Sequence, residues 1–253
     1  MSLIAPIALH TVLLIAAAGF IAGVQNALAG GGSFITFPAL LLAGLNPLAA
    51  NMTSTIALFP SQIASSIAGR KLVDDVGPLS FRQMFGISVA GGVVGAFLLL
   101  HTPATFFARL VPWLVLFATS VFAWGSFRRK PLHAAGAVPL PVLVAVQSAI
   151  AVYGGYFGGG IGFLMLAALT VAGMQVRAAA ATKNMLAMAM NAAATLIFAF
   201  SDLISWPAAI ALAAGGIGGG IAGSWLIHRL PERVMRGFVV LVGALLTVWM
   251  FLR

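Results

Sequence analysis

Two glycine triplets, each followed by polar residues, are the features of this sequence best suited to chemistry. The triplet at 30–32 precedes Ser33, and the triplet at 158–160 precedes Ile161. Glycine costs about 1 kcal/mol per residue within a helix, so we expect the helix to break at both places. A short helix that begins at Ser33 or Ile161 would point free backbone N–H groups and a positive dipole end into the protein, which suits an anion.

Close helix packing is the alternative role for these glycines. Small residues let membrane helices approach one another, and for a single triplet this interpretation is the simpler one. The triplet occurs twice, however, each time at the start of a short apolar run. Paired interruptions of hydrophobic segments are typical of transporter binding sites. We therefore predict a site at the two breaks.

Lys183 lies about seven residues into an apolar segment, 176–200. An ionisable residue at that depth in a membrane helix is expensive, which makes it a candidate functional residue. The alternative is that its long side chain extends to the membrane surface. Thr182 and Asn184 flank it with further hydrogen-bonding groups, which favours the functional role.

Polar residues of the two halves correspond when Ala43-Gly44 is aligned with Ala172-Gly173. The alignment pairs Thr53 with Thr182, Ser54 with Lys183, and Gln62 with Asn191. Thr53 and Gln62 lie on roughly opposite sides of a helix, so one of each pair could pack against another helix. A single polar residue can simply hold membrane helices together, at about 0.6 kcal/mol. Their concentration around the glycine breaks favours a site instead.

The predicted substrate-binding residues come from both glycine breaks and both polar segments. They are Gly31, Gly32, Ser33, Asn51, Thr53, Ser54, Gly159, Gly160, Ile161, Thr182, Lys183, Asn184 and Asn191. Gln25 and Asn26, just before the first triplet, are further polar candidates.

The chemistry that the sequence lacks is equally informative. All four carboxylates fall in loops, namely Asp74, Asp75, Asp202 and Glu232. The histidines form no ligand pair and the chain has no cysteine, so we predict neither a metal nor another cofactor. No catalytic residue is predicted, because no base lies near a nucleophile. A site built from helix starts and a lysine, without a buried carboxylate, favours an anion over a cation.

Composition identifies the class of protein. Hydrophobic residues make up 62% of the chain and charged residues 7%, whereas soluble domains carry about 25% charged residues. The apolar stretches are continuous and do not alternate, which favours helices over a barrel. The net charge of +9 fits basic loops beside a lipid bilayer and does not indicate a nucleic acid partner. We predict an all-α polytopic membrane protein.

Ten apolar segments can be distinguished in the sequence. They span roughly 6–29, 34–45, 48–69, 80–100, 105–126, 138–157, 161–173, 176–200, 205–227 and 234–252. The second and seventh have only about 12 residues. As helices they would be about 18 Å long, shorter than the ~30 Å hydrocarbon core.

The basic residues favour a topology in which all ten segments cross the membrane. With the loop after residue 69 in the cytoplasm, ten basic residues lie inside: Arg70, Lys71, Arg82, Arg128, Arg129, Lys130, Arg177, Arg229, Arg233 and Arg236. Two lie outside, Arg109 and Arg253. If the short segments only dip into the membrane, four residues move outside and one moves inside, so the division becomes seven to five. The positive-inside rule prefers the first arrangement, with both termini outside.

This topology implies two repeats of opposite orientation. The first repeat covers 1–127, the second covers 138–253, and a linker at 128–137 joins them within one membrane domain. Because each repeat has an odd number of segments, the second would insert inverted relative to the first. We therefore predict an inverted repeat with one short, broken helix in each half.

The chain as a whole resembles the TauE/SafE family of sulfite exporters. The resemblance lies in Gly30-Gly31-Gly32-Ser33 with Pro38, Asn46-Pro47 leading to Asn51-Met52-Thr53-Ser54, Gly158-Gly159-Gly160-Ile161-Gly162, and the stretch 177–184 with Asn191. It implies export or uptake, without ATP, of sulfite and small organosulfur anions such as sulfonates.

We therefore expect a secondary transporter of small sulfur-containing anions in a bacterial cytoplasmic membrane, working by alternating access. A passive anion channel would use the same residues. A membrane enzyme is less consistent with the sequence, because it would need a buried acid/base pair. A non-transporting assembly subunit would not need polar groups matched across the halves. Small-residue faces serve internal packing as well as dimers, so a homodimer is left open.

Overall fold

A computed structural model describes residues 9–28, 31–127, 138–226 and 232–252. These ranges contain ten α-helices, one for each predicted segment, and no β-strand of a sheet. The helices are α1 Leu9–Leu28, α2 Ser33–Leu42, α3 Pro47–Gly69, α4 Phe81–Leu100, α5 Ala104–Phe127, α6 Leu140–Tyr156, α7 Ile161–Val171, α8 Val176–Phe198, α9 Trp206–Leu226 and α10 Glu232–Leu252. Gly30, the predicted linker at 128–137, and the charges of Arg229 and Arg253 lie outside the described residues.

The fold is that of an all-α membrane protein. Within the described part of the chain, four helices are long and apolar enough to cross a bilayer: α1, α4, α5 and α9. Large apolar side chains also cover their outer surfaces; Ile210, for example, is 66% exposed. In water such a surface would be unfavourable, whereas in lipid it is the expected exterior. The prediction of a helical membrane protein is confirmed.

The short helices α2 and α7 end in the same way. The residue after each C-cap is a glycine with positive φ, Gly44 at +94° and Gly173 at +96°. Beyond each glycine the chain folds back, and the N–H of Leu45 donates to the Leu40 carbonyl at 3.1 Å. In α7 the N–H of Met174 donates to the Leu169 carbonyl at 3.0 Å. This pattern is a Schellman motif, which stops a helix by satisfying its last carbonyls.

Two pairs of parallel helices pack closely through glycine. In α1 and α9, Gly19 lies against the backbone of Leu212 and Gly23 against that of Gly216. In α4 and α6, Gly91 lies against Ala151. A Cβ added at Gly19, Gly23 or Gly91 would overlap its neighbour. The absence of side chains therefore lets the helix backbones touch, as in glycine-rich membrane helix pairs.

The long helices α3 and α8 run antiparallel through the centre of the protein. Near one end, the Ser66 hydroxyl donates to the Asn184 carbonyl at 3.0 Å. Further along, the Asn191 side-chain Nδ2 donates to Gln62 Oε1 at 2.9 Å. The order of these contacts is reversed between the two helices, which establishes their opposite directions. These helices carry most of the polar residues that the sequence singles out.

Several helix contacts occur in corresponding pairs in the two halves. Helix α1 packs on α9 and α6 packs on α4, while α3 packs on α9 and α8 packs on α4. Likewise α2 contacts α10, and α7 contacts α5. If each of the first five helices is replaced by its counterpart five helices later, and the reverse, the first contact in each of these pairs becomes the second. Helix α5 is antiparallel to α10, since Trp113 contacts Phe251 and Thr119 contacts Gly243.

Candidate functional site

A cavity of about 720 Å³ lies where the two glycine breaks meet the long helices α3 and α8. Eleven of the predicted site residues line it: Gly31, Gly32, Ser33, Asn51, Ser54, Gly159, Gly160, Ile161, Lys183, Asn184 and Asn191. The two breaks are close together, because a ring atom of Phe34 lies 3.6 Å from where a Cβ on Gly160 would stand. The cavity is therefore shared by both halves of the chain.

The first break is held by a side chain from the preceding helix. Asn26, near the end of α1, accepts the backbone N–H of Gly32 through Oδ1 at 2.8 Å. Gly31 has φ of +85°, a conformation that favours glycine. A Cβ on Gly32 would overlap the Asn26 side chain. Helix α2 then begins at Ser33, so its first turn starts at the cavity wall.

The second break needs glycine for both conformation and space. Gly158 and Gly160 have φ of +74° and +76°, which other residues adopt only at a cost of about 1–2 kcal/mol. A Cβ on Gly160 would also stand 3.0 Å from Ala118. Tyr153 donates its hydroxyl to the Gly159 carbonyl at 2.7 Å, which fixes that peptide. Within the described residues, the N–H groups of Gly159 and Gly160 donate to no protein acceptor.

Lys183 supplies a positive charge beside the start of α7. Its Nζ lies 3.6 Å from the Cβ position of Gly162, and its side chain lines the cavity. No aspartate or glutamate of the described chain lines the same cavity. The helix start and the ammonium group therefore act in the same direction, and both favour a negative charge at this wall.

Other polar side chains of the site are tied to neighbouring helices. Ser54 on α3 shares a hydrogen bond of 2.6 Å with Thr36 on α2. Asn51 donates through Nδ2 to the Tyr156 carbonyl at the end of α6, at 3.1 Å. These contacts hold the short helix α2 and the end of α6, just before the second break, against α3. The cavity wall is therefore built from rigid elements of both halves.

Thr53 and Thr182 do not line the cavity, and we correct the prediction for these two residues. Both side chains are fully buried. Thr53 accepts the backbone N–H of Ser205 at 3.3 Å, and Thr182 accepts that of Asp74 at 3.2 Å. Each threonine thus fixes a loop of the other half. The physical reason is helical geometry, since the residue next to a cavity-facing position points about 100° away.

The cavity also includes residues that the predicted set omits. Among them are the polar or aromatic residues Asn26, Phe37, Thr55, Ser61, Gln62, Ser65 and Phe157. On α3 the lining positions Asn51, Thr55, Leu58, Gln62 and Ser65 recur every three or four residues. That spacing is the period of one helix face and was visible in the sequence. Phe37 and Phe157 carried no such signal.

Comparison with known proteins gives the family. The sequence matches the family described as sulfite exporter TauE/SafE over residues 15–250. The chain belongs to the TauE/SafE family. No solved structure matches it.

Curated relatives of this TauE/SafE chain are membrane transporters by name. It is 28% identical to a probable membrane transporter protein ORF9 of Sinorhizobium sp, over 96% of this chain and 93% of the relative. It is 27% identical to a probable membrane transporter protein of Haemophilus influenzae, over 92% of this chain and 91% of that one. The probable membrane transporter protein YfcA of Escherichia coli K12 is 25% identical, over 97% and 90%.

The family and the fold together establish the broad class. The chain is a membrane transporter of the TauE/SafE family and a multi-pass protein of the bacterial inner membrane. These findings confirm the predicted family, the transmembrane class and the location.

Proposed function

We propose that this protein is a secondary transporter of small sulfur-containing oxyanions, such as sulfite or an organosulfonate. The observation that carries the proposal is a single cavity with two helix starts and a lysine on its wall. No carboxylate of the described chain balances that positive charge inside the cavity. A small anion is the ligand that satisfies free amides and an ammonium group at once.

The anion is proposed to bind between the second glycine break and Lys183. There the amides of Gly159 and Gly160 and the ammonium group supply donors from different directions. Ser33 and the first break face the same cavity from the other half. Asn51, Ser54, Asn184 and Asn191 complete the polar wall. The aromatic rings of Phe37 and Phe157 cover the apolar side of the cavity.

We further propose that the two halves form an inverted repeat, each with a helix broken at its glycine triplet. Two observations support this arrangement. Equivalent helices run antiparallel where they meet, as α3 and α8 do. Several helix contacts also occur in corresponding pairs in the two halves. An inverted repeat provides two related conformations, so alternating access follows from rocking one half against the other around the site.

In the conformation described here, the cavity is lined by the exposed α9 residues Ile217 and Ile221, and it also reaches the surface at one end. Its lining includes the exposed residues Ser65 near the end of α3 and Val176 at the start of α8. The basic residues Arg70 and Lys71 follow directly after α3. By the positive-inside rule this end faces the cytoplasm. The rings of Phe37 and Phe157, with centroids 5.9 Å apart, are in contact on the cavity wall.

Replacing Lys183 with methionine tests the proposal. We expect Lys183→Met to weaken sulfite binding to the purified protein by about 10-fold or more, because a charged hydrogen bond contributes roughly 1.5–3 kcal/mol. Calorimetric titration in detergent measures the affinity. Lys71→Met is the matched control, since Lys71 is exposed and lies outside the cavity lining. Equal sulfite affinity in wild type and Lys183→Met would remove the lysine from the site.

Saturable counterflow distinguishes the transporter from a passive anion channel. Proteoliposomes preloaded with unlabelled substrate should take up labelled substrate transiently against its gradient. A channel of the same residues would only equilibrate the label. Counterflow that persists in Lys71→Met and is lost in Lys183→Met would link the cavity to transport.

A further inference from the structure

Asn191 carries a buried acceptor that no group of the described residues satisfies. Its side chain is 4% exposed and lies on the cavity wall. The amide nitrogen donates to Gln62 Oε1 at 2.9 Å, but Oδ1 has no hydrogen-bond partner among the described residues. Buried polar atoms are nearly always paired, so an orphaned one at a binding site indicates a missing partner.

The unpaired oxygen lies at the second glycine break. Apart from the adjacent residues 157 and 159, the position that a Cβ on Gly158 would occupy has two heavy-atom neighbours within 4 Å: the Gly154 carbonyl oxygen at 3.3 Å and Asn191 Oδ1 at 3.9 Å. Both of these neighbours are acceptors. The next residues along the chain, Gly159 and Gly160, have N–H groups that donate to no acceptor in the part of the chain that the structure describes. Within a few residues, the cavity wall therefore presents both hydrogen-bond acceptors, near Gly158, and hydrogen-bond donors, at Gly159 and Gly160.

A ligand that carries only hydrogen-bond acceptors, such as a fully ionised oxyanion, would satisfy the donors of the cavity wall and leave its acceptors unpaired. A ligand with an anionic group and a hydrogen-bond donor satisfies both parts of the wall. We infer that the substrates of this protein are small oxyanions that also carry a donor, such as a hydroxyl or ammonium group. Asn191 accepts the hydrogen bond from this donor through Oδ1. The inference rests on the proposed function and narrows its substrate class.

Two sulfonates that differ by one hydroxyl test the inference in the wild-type protein. The probes are ethanesulfonate and hydroxyethanesulfonate, titrated into purified protein in detergent. They share the anionic group and the carbon chain, so a difference in affinity reports the donor. We expect hydroxyethanesulfonate to bind about 10-fold more tightly, because an unmade bond to a buried acceptor is costly.

Substitution of Asn191 assigns the preference to this residue. In Asn191→Leu, which is similar in size, we expect the ratio of the two affinities to fall below about twofold. Asn184→Leu is the matched control, because Asn184 lines the same cavity from the same helix and has no buried unpaired atom. That variant should keep the ratio even if it weakens both affinities.

Each remaining outcome contradicts a different statement. Equal affinity of the wild type for the two sulfonates would overturn the inference while leaving the proposed function intact. Tighter binding of ethanesulfonate would show that Asn191 offers its amide N–H groups to the ligand, and would also overturn it. Failure of both sulfonates and of sulfite to bind would overturn the proposed function itself, and the inference with it.

Discussion

Single glycines at the second break combine a backbone requirement with a steric one. Gly160 has φ of +76° and would place a Cβ 3.0 Å from Ala118 on α5. Gly77, in an exposed loop, also has positive φ, +52°, but open space surrounds its Cβ position. Comparing substitutions at Gly160 and Gly77 therefore distinguishes the cost of backbone strain from the cost of steric crowding at the site.

We expect Gly160→Ala to lower stability by more than Gly77→Ala and to weaken sulfite binding. Both variants incur about 1–2 kcal/mol of left-handed backbone strain, but only the first displaces the start of α7. Thermal unfolding in detergent and calorimetric titration measure the two effects. Unchanged sulfite affinity in Gly160→Ala would show that the amides of the second break do not bind the anion.

At the scale of helices, α3 and α8 are held together by polar contacts that are unequal at their two ends. Ser66 is buried and donates to the Asn184 carbonyl at 3.0 Å. The proposed pairing of the halves places Thr195 opposite Ser66, and the hydroxyl of Thr195 is buried with no partner among the residues that the structure describes. One end of the helix pair is thus bonded and the other is not. This inequality is expected if the two ends open alternately.

We expect Ser66→Ala to destabilise the protein and Thr195→Val to leave its stability unchanged or slightly raised. Loss of a hydrogen bond costs about 0.5–1.5 kcal/mol, whereas removing an unpaired buried hydroxyl costs little. Thermal unfolding of the two variants side by side measures the difference. A larger loss in Thr195→Val would mean that its hydroxyl has a partner in the folded protein, contrary to the unequal ends described above.

At the scale of the whole molecule, the cavity has an exposed end near Ser65 in the conformation described here. Ser65 lines the open end, and its neighbour Ser66 is buried between α3 and α8. The chain contains no cysteine, so a single introduced thiol reports its own surroundings. This pair of adjacent serines therefore provides a direct probe of the side from which the cavity is reached.

We expect Ser65→Cys to react with a membrane-impermeant maleimide from the cytoplasmic side and Ser66→Cys to react at least 10-fold more slowly, because a buried thiol is reached only after local opening. Inside-out and right-side-out vesicles distinguish the two sides. Saturating sulfite should slow the labelling of Ser65→Cys by filling the cavity. Faster labelling of Ser65→Cys from the outside would reverse the proposed topology.

Periodicity and glycine chemistry are local properties, and they carried most of the sequence-based prediction. Ten apolar segments became ten helices, because in lipid each segment must satisfy its own backbone hydrogen bonds. Helices α2 and α7 begin at Ser33 and Ile161, directly after the triplets, and that the cost of consecutive glycines sets these starts stays a prediction. The membrane class and family were likewise determined by the chain itself. The inverted repeat, which depends on how the halves insert, stays a prediction.

The direction of each side chain depended on the neighbours that folding brings together. Thr53 and Ser54 are adjacent in sequence, yet Thr53 binds the loop before α9 and Ser54 faces the cavity. Asn191 is one of several polar residues on its helix, and only packing reveals that its oxygen lacks a partner. The sequence by itself thus determined the helices and where they break. The tertiary structure decided which polar groups meet, because side chains distant in sequence converge only after the helices pack.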